Sequence, residues 1–404
     1  MKDFLITRVK FLIKFFLLFL IGFPLAILIR IIYPLVHIRI GVIPSERIGH
    51  FADDSMHFLC QKDLVLSRRS LDIFFLEGPP CNIFLLKLIK RELKVYRFVE
   101  FIYQANLYLP KHTLFYNPNL LETHRSRDIP GLRVKSKKVF PFLIAEDEAG
   151  ELFLTSMGCK NTKKFVCLNI RDSLYLEEKF PDTDFSYHNY RDSDCQTYEL
   201  AVKELIARGY FVIRMGAKVR DKLIIDSDQF LDYPFCESSS DFLDVWLMAN
   251  CTFCISTSSG LDSISNIYRR PVAYVNALPI GDFNSSNPKT IWMPKTIVNS
   301  KNKPLSLQEL IEKKLISFHT NAKLQKYNLR VIDNSSEEIC EVVSELEEKI
   351  VGSWNASKNI TKKRKWVEGL LLSSWKEFPL YHHETAFQKK SFGHFSELFL
   401  KKIF

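Results

Sequence analysis

No glycine-rich phosphate loop occurs anywhere in the chain, neither G-x-G-x-x-G nor the Walker type, so the sequence supports neither a dinucleotide oxidoreductase nor an ATPase. A G-x-S-x-G elbow is also missing, which argues against an ester hydrolase. Cys251 and Cys254 form one C-x-x-C, but no second pair or histidine pair completes four zinc ligands, and the surrounding ANCTFCIS reads as a strand. The nine cysteines are odd in number, scattered and mostly in apolar stretches, the pattern of reduced, buried thiols in a cytosolic compartment. No short internal repeat is present, and no small-residue cleavage site follows the apolar N-terminal stretch, so a removable signal peptide is not expected.

Acidic residues are fewer than basic ones, and the formal net charge of +10 invites a nucleic-acid reading. Its placement argues otherwise. Residues 1–40 hold six cations against one acid, residues 351–404 hold ten against four, and the 310 residues between sum to −1. Without an aromatic-rich basic groove in the body, nucleic acid is not an expected partner. Basic residues flanking an apolar segment suit an anionic membrane surface instead.

That segment is FFLLFLIGFPLAILI, residues 15–29, bounded by Lys14 and Arg30. A spanning helix needs roughly 20 apolar residues, a length reached only by extending to residues 11–36. Gly22 and Pro24 interrupt it, and cations on both sides leave its orientation open. The expectation is a membrane anchor over residues 1–37, attached in the plane at the cytoplasmic face of the membrane, with a buried core helix as the alternative.

Beyond it, apolar runs alternate with helical patterns, the signature of parallel α/β units. IRIGVI (38–43), LDIFFL (71–76) and a short run at 94–97 read as strands of a first unit, residues 38–160. FVCLNI (165–170), FVIR (211–214), TFCIS (252–256) and VAYV (272–275) read as strands of a second, residues 161–334. Helices are expected near 196–208, at 241–249 behind capping serines, and at 339–350 behind the capping box SSEE; residues 335–404 read as a helical extension. The fold class is α/β with two Rossmann-like domains and an N-terminal hydrophobic membrane segment. Active sites of such pairs lie at the carboxyl ends of the strands.

The densest chemistry is CISTSSGLD, residues 254–262. A strand runs through a Ser/Thr/Gly turn into a helix, so Ser256, Thr257, Ser258, Ser259 and Gly260 could hold a diphosphate on amides and hydroxyls. Simple capping is the plainer alternative. Arg171 and Arg214 stand at strand ends, with Gly216 two residues further, and Arg191 lies in the loop SYHNYRDSD. Guanidinium groups match phosphate oxygens two at a time. Three D-x-D triplets (Asp182/Asp184, Asp192/Asp194, Asp226/Asp228) sit in polar loops, where a metal role is not expected; Asp194 could instead cap the following helix. In the first unit Arg47, Gly49 and His50 follow strand one on the acceptor side. His50 could act as general base, with Asp53, Asp54 or Asp172 as alternatives.

The runs FVCLNIRDSLYLEE, SYHNYRDSDCQTYELAVKELIARGYFVIRMG and ISTSSGLDSISNIYRRPVAYVN resemble a family of bacterial glycosyltransferases, and RIGHFADDSMHFL and LEGPPCNIFLLKLIKREL look like its N-terminal signatures. The resemblance covers about residues 40–350. It implies kinship with the fucosyltransferase-like branch of the GT-B fold, in which an H-x-R strand end and a late Ser-Ser element bind a sugar nucleotide. Arg171 matches that arginine and Ser258 and Ser259 match the late element, but Asn169 stands where relatives have histidine. The implied activity is metal-independent transfer of a sugar from a nucleotide-sugar donor to a glycan or lipid-linked acceptor in surface polysaccharide synthesis, with no cofactor. A polysaccharide pyruvyl transferase-like enzyme and a non-catalytic, membrane-bound glycan-binding scaffold are the alternatives.

Overall fold

The structure is a computed structural model describing residues 16–64, 69–117, 128, 131–283, 285–318, 320–356, 358–374 and 393–403. Two compact units divide the chain: Met1–Ser126 with Lys135–Pro141, and Arg127–Val134 with Phe142–Phe404.

The first unit is built on two parallel strands, β1 (His37–Ile43) and β2 (Ser70–Leu76), paired from His37↔Ser70 to Ile43↔Leu76. Single parallel bridges, Ile40↔Tyr116 and Phe74↔Val95, extend the pair on either side. The strand expected at 94–97 therefore shrinks to one bridge, because the chain turns at Tyr96 (Val99 N–H to Tyr96 O, 3.3 Å) and enters the helix Val99–Leu107. Where a full Rossmann-like domain was expected, this unit carries a two-stranded sheet with bridged flanks. The loop expected after β1 is also shorter than read, since helix Ile48–Leu64 begins within it. Helix Ile83–Glu92 starts at Asn82, whose Oδ1 accepts the Leu85 N–H at 2.7 Å.

The N-terminal segment is part of this unit's core. A π-helical turn, Leu18–Gly22, leads into the helix Phe23–Ile31, with Pro24 in the first turn, where its missing N–H costs nothing. Ala26 and Ile29 pack with Ile40, Phe75, Val99, Ile102 and Ala105. A Cβ on Gly22 would lie 2.5 Å from the Phe101 carbonyl oxygen, so glycine lets the two helices approach. Among the described residues no helix is long and apolar enough to cross a membrane. Residues 1–15 of the expected anchor lie outside the described residues.

The second unit holds one seven-stranded sheet. Its strands are β3 (Phe165–Asn169), β4 (Phe211–Met215), β5 (Phe230–Asp232), β6 (Phe253–Ser256), β7 (Val272–Ala277), β8 (Ile291–Pro294) and a last strand, His394–Phe395; the antiparallel pair β9 (Thr296–Val298) and β10 (Arg330–Ile332) stands apart from it, so the last strand is β11. The order is β11-β8-β7-β6-β3-β4-β5 and every pair is parallel. β3, β4, β6, β7 and β8 are buried along their whole lengths, as parallel strands covered on both faces must be. Taken from β5 through β3 to β8, this is the doubly wound order 3-2-1-4-5-6, and the winding reverses between β3 and β6.

Helix Asp241–Asn250 is capped by Ser240, whose Oγ accepts the Leu243 N–H at 3.3 Å, and helix Ser336–Val351 by the Ser335/Glu338 capping box. The C-terminal stretch contributes β11 as well as helices. Glu345, 3% exposed, joins its three helices by taking ion pairs from Lys349 and Arg364 and the Glu397 N–H.

Packing is tightest where helix Ile144–Ser156 meets the sheet layer. A Cβ on Gly150 would fall 2.2 Å from the Trp246 ring, which is stacked on Phe165 and fixed by Nε1–H to Asp147 Oδ1 at 2.9 Å. Gly150→Ala would gain about 1 kcal/mol of helix propensity. The ring cannot retreat, and overpacking of this kind costs up to about 3 kcal/mol. A net loss of about 2 kcal/mol is expected, read as a lower urea midpoint; an unchanged or higher midpoint would show that Trp246 is free to move.

Candidate functional site

The site lies at the switch point of the second unit, where Asn169 and Ser256 end neighbouring strands in register. Asn169 Nδ2 donates to Ser259 Oγ at 2.8 Å and Ser256 Oγ at 3.3 Å. The two strand ends are thereby cross-linked by a single side chain. Thr257, fully buried, receives the Arg171 N–H on its Oγ1 at 2.8 Å and returns its own N–H to the Asn169 carbonyl at 3.3 Å. The loop after β6 and the chain after β3 form one hydrogen-bonded edge.

Two arginines converge on it. Arg171, its side chain 10% exposed, bonds Asp192 Oδ1 through Nε at 2.9 Å. Arg191 donates through Nη2 to the carbonyl of Ser258, while its Nε is buried with no hydrogen-bond partner among the described residues. Ser258 itself has φ +63°, a left-handed conformation that costs a non-glycine residue on the order of 1 kcal/mol and is held here by its N–H on Ser256 Oγ at 3.1 Å.

The segment that follows Arg191 is pinned from two strand ends. Lys295, immediately after β8 and with its side chain 3% exposed, donates to the Asp192 carbonyl at 2.5 Å and pairs with Asp333 at 2.7 Å. Asn276, at the end of β7, donates to Ser193 Oγ at 2.8 Å. Burial pushes the Asp192 carboxyl above its ordinary range against the pull of Arg171 and Lys295. Burial likewise draws the Lys295 ammonium down, opposed by Asp333 and Asp192. Each charge is thus held in a partly desolvated place by its neighbours.

Several expected roles change. The amides of Ser258 and Ser259 are engaged by Ser256 Oγ and by Asp262 Oδ2, the latter at 2.8 Å, and the Ser256 hydroxyl donates to the same carboxylate. An internal anion therefore occupies the loop where a diphosphate was expected to meet amides, and the helix behind it, Asp262–Ile267, is only six residues long. Gly260 is exposed on the same turn. Arg214 does not join the cluster: it lies within β4, is 2% exposed, and bonds the Asp221 carbonyl at 2.6 Å and Asp232 at 3.4 Å. Gly216 follows it with φ +148°, which favours glycine. Asp172 shapes a turn, its two oxygens taking the N–H groups of Leu174 and Arg220, both at 2.8 Å, which leaves it poorly placed to remove a proton. Of the D-x-D triplets, Asp192 pairs with Arg171, Asp194 caps the Gln196 N–H at 2.9 Å and Asp184 takes the Ser186 N–H at 2.8 Å. No cluster of metal-ligating side chains occurs among the described residues.

In the first unit, Arg47 precedes helix Ile48–Leu64 and Gly49, His50, Asp53 and Asp54 lie inside it. Gly49 therefore lies within the helix. The His50 side chain is 53% exposed, 4.0 Å from Asp54, whose side chain is 4% exposed.

No protein-family model matches the chain, and no curated protein sequence matches it. Among solved structures it is similar to the ADP-heptose LPS heptosyltransferase II of E. coli, at 15% identity over 60% of this chain and 86% of that one, with a TM-score of 0.34. It is also similar to a family 9 glycosyl transferase from Veillonella parvula, at 12% identity over 79% of this chain and 99% of that one, with a TM-score of 0.42. Neither is named as a fucosyltransferase. At these values no residue of either can be placed on this chain, and the site stands on its own geometry.

Lys295 is the residue that the sequence reading missed. The signal was present, a cation directly after the apolar run IWMP, the same arrangement that marked Arg171.

Proposed function

We propose that the chain is a glycosyltransferase that binds a nucleotide-sugar donor at the β3/β6 switch point and transfers the sugar to a glycan or lipid-linked acceptor hydroxyl in surface polysaccharide synthesis. The observation that carries this reading is that Arg191 donates to the Ser258 carbonyl in the loop after β6 while Arg171 bonds the adjoining Asp192, with a buried guanidinium N–H of Arg191 that has no acceptor among the described residues. The doubly wound order puts ligand sites at this crevice. Paired arginines suit a diphosphate, whose negative charge grows as it departs from the anomeric carbon.

In this mechanism the acceptor hydroxyl attacks the anomeric carbon, the bond to the diphosphate breaks, and Arg171 and Arg191 take the developing charge. The transfer is metal-independent in this reading because Asp192 and Asp194, the D-x-D nearest the arginines, are already engaged by Arg171 and by the Gln196 amide. The hydroxyl's proton passes to a general base or to water. The transfer takes place on the cytoplasmic side, where nucleotide sugars are made.

Thermal-shift titration of the full chain with nucleoside diphosphates, nucleotide sugars and phosphoenolpyruvate tests the donor class. At a hundredfold excess over Kd, mass action predicts about 2.7 kcal/mol of stabilisation. A shift with one nucleotide diphosphate series, lost in Arg191→Ala, is expected. Stabilisation by phosphoenolpyruvate alone would transfer the site to a pyruvyl transferase, and no shift with any compound would favour a non-catalytic scaffold.

A further inference from the structure

The N-terminal segment presents an amphipathic pattern turned inside out. Over residues 16–36 the single ionisable cation is Arg30, and its guanidinium is turned toward protein: Nη1 donates to the Ala26 carbonyl at 2.9 Å, Nη2 to Asn106 Oδ1, and its carbon lies 4.5 Å from the centre of the Phe115 ring. The large apolar side chains point the other way. Phe16 (63% exposed), Leu20 (60%) and Ile31 (69%), with Phe19, Ile27, Leu28 and Leu35, are all exposed. Positions 16, 20, 27 and 31 recur at helical spacing along one stripe, opposite the buried Gly22, Ala26 and Ile29.

Seven exposed large apolar side chains within residues 16–35 make the kind of apolar surface that marks an interaction site. The patch is rimmed by tyrosines, with Tyr33 43% and Tyr108 73% exposed, and the Tyr108 ring lies 6.2 Å from Phe23. Tyrosine, apolar in body and polar at its tip, favours the level of lipid headgroups.

We propose that this face docks on an anionic lipid bilayer, with the segment lying in the plane of the membrane and its apolar stripe inserted to about the headgroup boundary. Among the described residues no helix is long and apolar enough to cross, and one side of this one is already taken by the protein's own core. An interfacial helix needs only the face that is exposed here. Charge selects the lipid: the sequence immediately before the stripe carries Lys2, Arg8, Lys10 and Lys14 against Asp3 alone. A second copy of the chain is the weaker occupant, since it would bring two such basic stretches together.

The docking face does not depend on the reaction proposed above, and its failure would leave the donor-site reading untouched. The test is co-sedimentation of the full chain with vesicles of phosphatidylcholine alone and of phosphatidylcholine with one-quarter phosphatidylglycerol. Binding to the anionic vesicles, at least tenfold stronger than to neutral ones, is expected. The triple substitution Leu20→Glu, Leu28→Glu, Ile31→Glu should lower it at least tenfold with an unchanged melting temperature and unchanged nucleotide binding, because these side chains face outward. Equal sedimentation of the triple variant would overturn the proposal. So would absence of wild-type binding together with a dimer that the triple variant loses, which would assign the face to a second copy.

Discussion

Arg171→Ala is expected to lower sugar transfer at least a hundredfold while the protein still folds. The size follows from the role. Removing one charged donor to a departing anion in a water-poor site costs 10²–10³ in kcat, on the order of 3–4 kcal/mol. The fold should survive because the substitution removes the side-chain anchor and leaves the backbone ones. Its backbone N–H still bonds Thr257 Oγ1, which keeps the chain after β3 fastened to the loop after β6. The lost anchor strands Asp192, whose carboxyl burial already favours the protonated form, so the carboxyl can take up a proton instead of remaining an isolated charge. Arg171→Lys should recover only part of the rate, because an ammonium cannot bond Asp192 through one nitrogen and offer a planar fork with the others. Turnover with the donor identified by thermal shift is the readout, with a melting curve as control. Near-wild-type turnover in folded Arg171→Ala would remove the switch point as the site of transfer.

The reason Arg171 and Arg214 differ was not visible in sequence. Both follow apolar runs and both read as strand-end cations. Arg171 lies two residues beyond the last residue of β3, where a side chain can reach over the sheet edge. Arg214 is the fourth of five residues in β4, so its side chain stands on the sheet face among the covering layer and must find Asp221 and Asp232 there. Three register positions, counted from Leu168, the partner of Arg214, separate a candidate ligand group from a structural ion pair. The central strands themselves were plain: FVCLN, FVIRM and FCIS are mostly apolar runs of the kind that a strand buried on both faces needs.

What escaped was set by distant partners. β8, IWMP, is four residues ending in proline, and its strand character comes from lying between β7 and β11. β11 is two residues arriving from more than a hundred positions away. The N-terminal helix read as an anchor detached from the first unit, because apolar composition does not say that Ala26 and Ile29 meet Val99 and Ile102. The hydroxyls of the CISTSSGLD turn were legible as donors, but their capture by Asp262 was not. A carboxylate four residues beyond Ser258 can serve the helix, the loop or a ligand, and only the folded turn decides.

Lys295→Met separates positioning from stability. Methionine keeps the length and most of the volume of the lysine stem, and replacing a buried ion pair by an apolar group is often neutral for folding. Its partner Asp333 is 39% exposed and can hydrate, so the change in unfolding free energy should stay below about 2 kcal/mol. Turnover should fall between tenfold and a hundredfold. Lys295 holds the carbonyl of Asp192, whose carboxylate orients Arg171 and whose preceding residue is Arg191; loosening that peptide displaces both guanidinium groups, and about 1 Å of misplacement is worth that factor. The pH profile supplies the readout that a merely structural lysine would not move. Burial lowers the Lys295 pKa, so the wild-type rate should decline on the alkaline side, below the usual lysine range, as the ammonium loses its proton. On the acid side it should decline as pH falls through the raised pKa of Asp192 and Arg171 loses its partner. Lys295→Met should keep the acid limb and lose the alkaline one. An unchanged kcat, or an alkaline limb that persists in the variant, would show that the charge after β8 serves the fold alone.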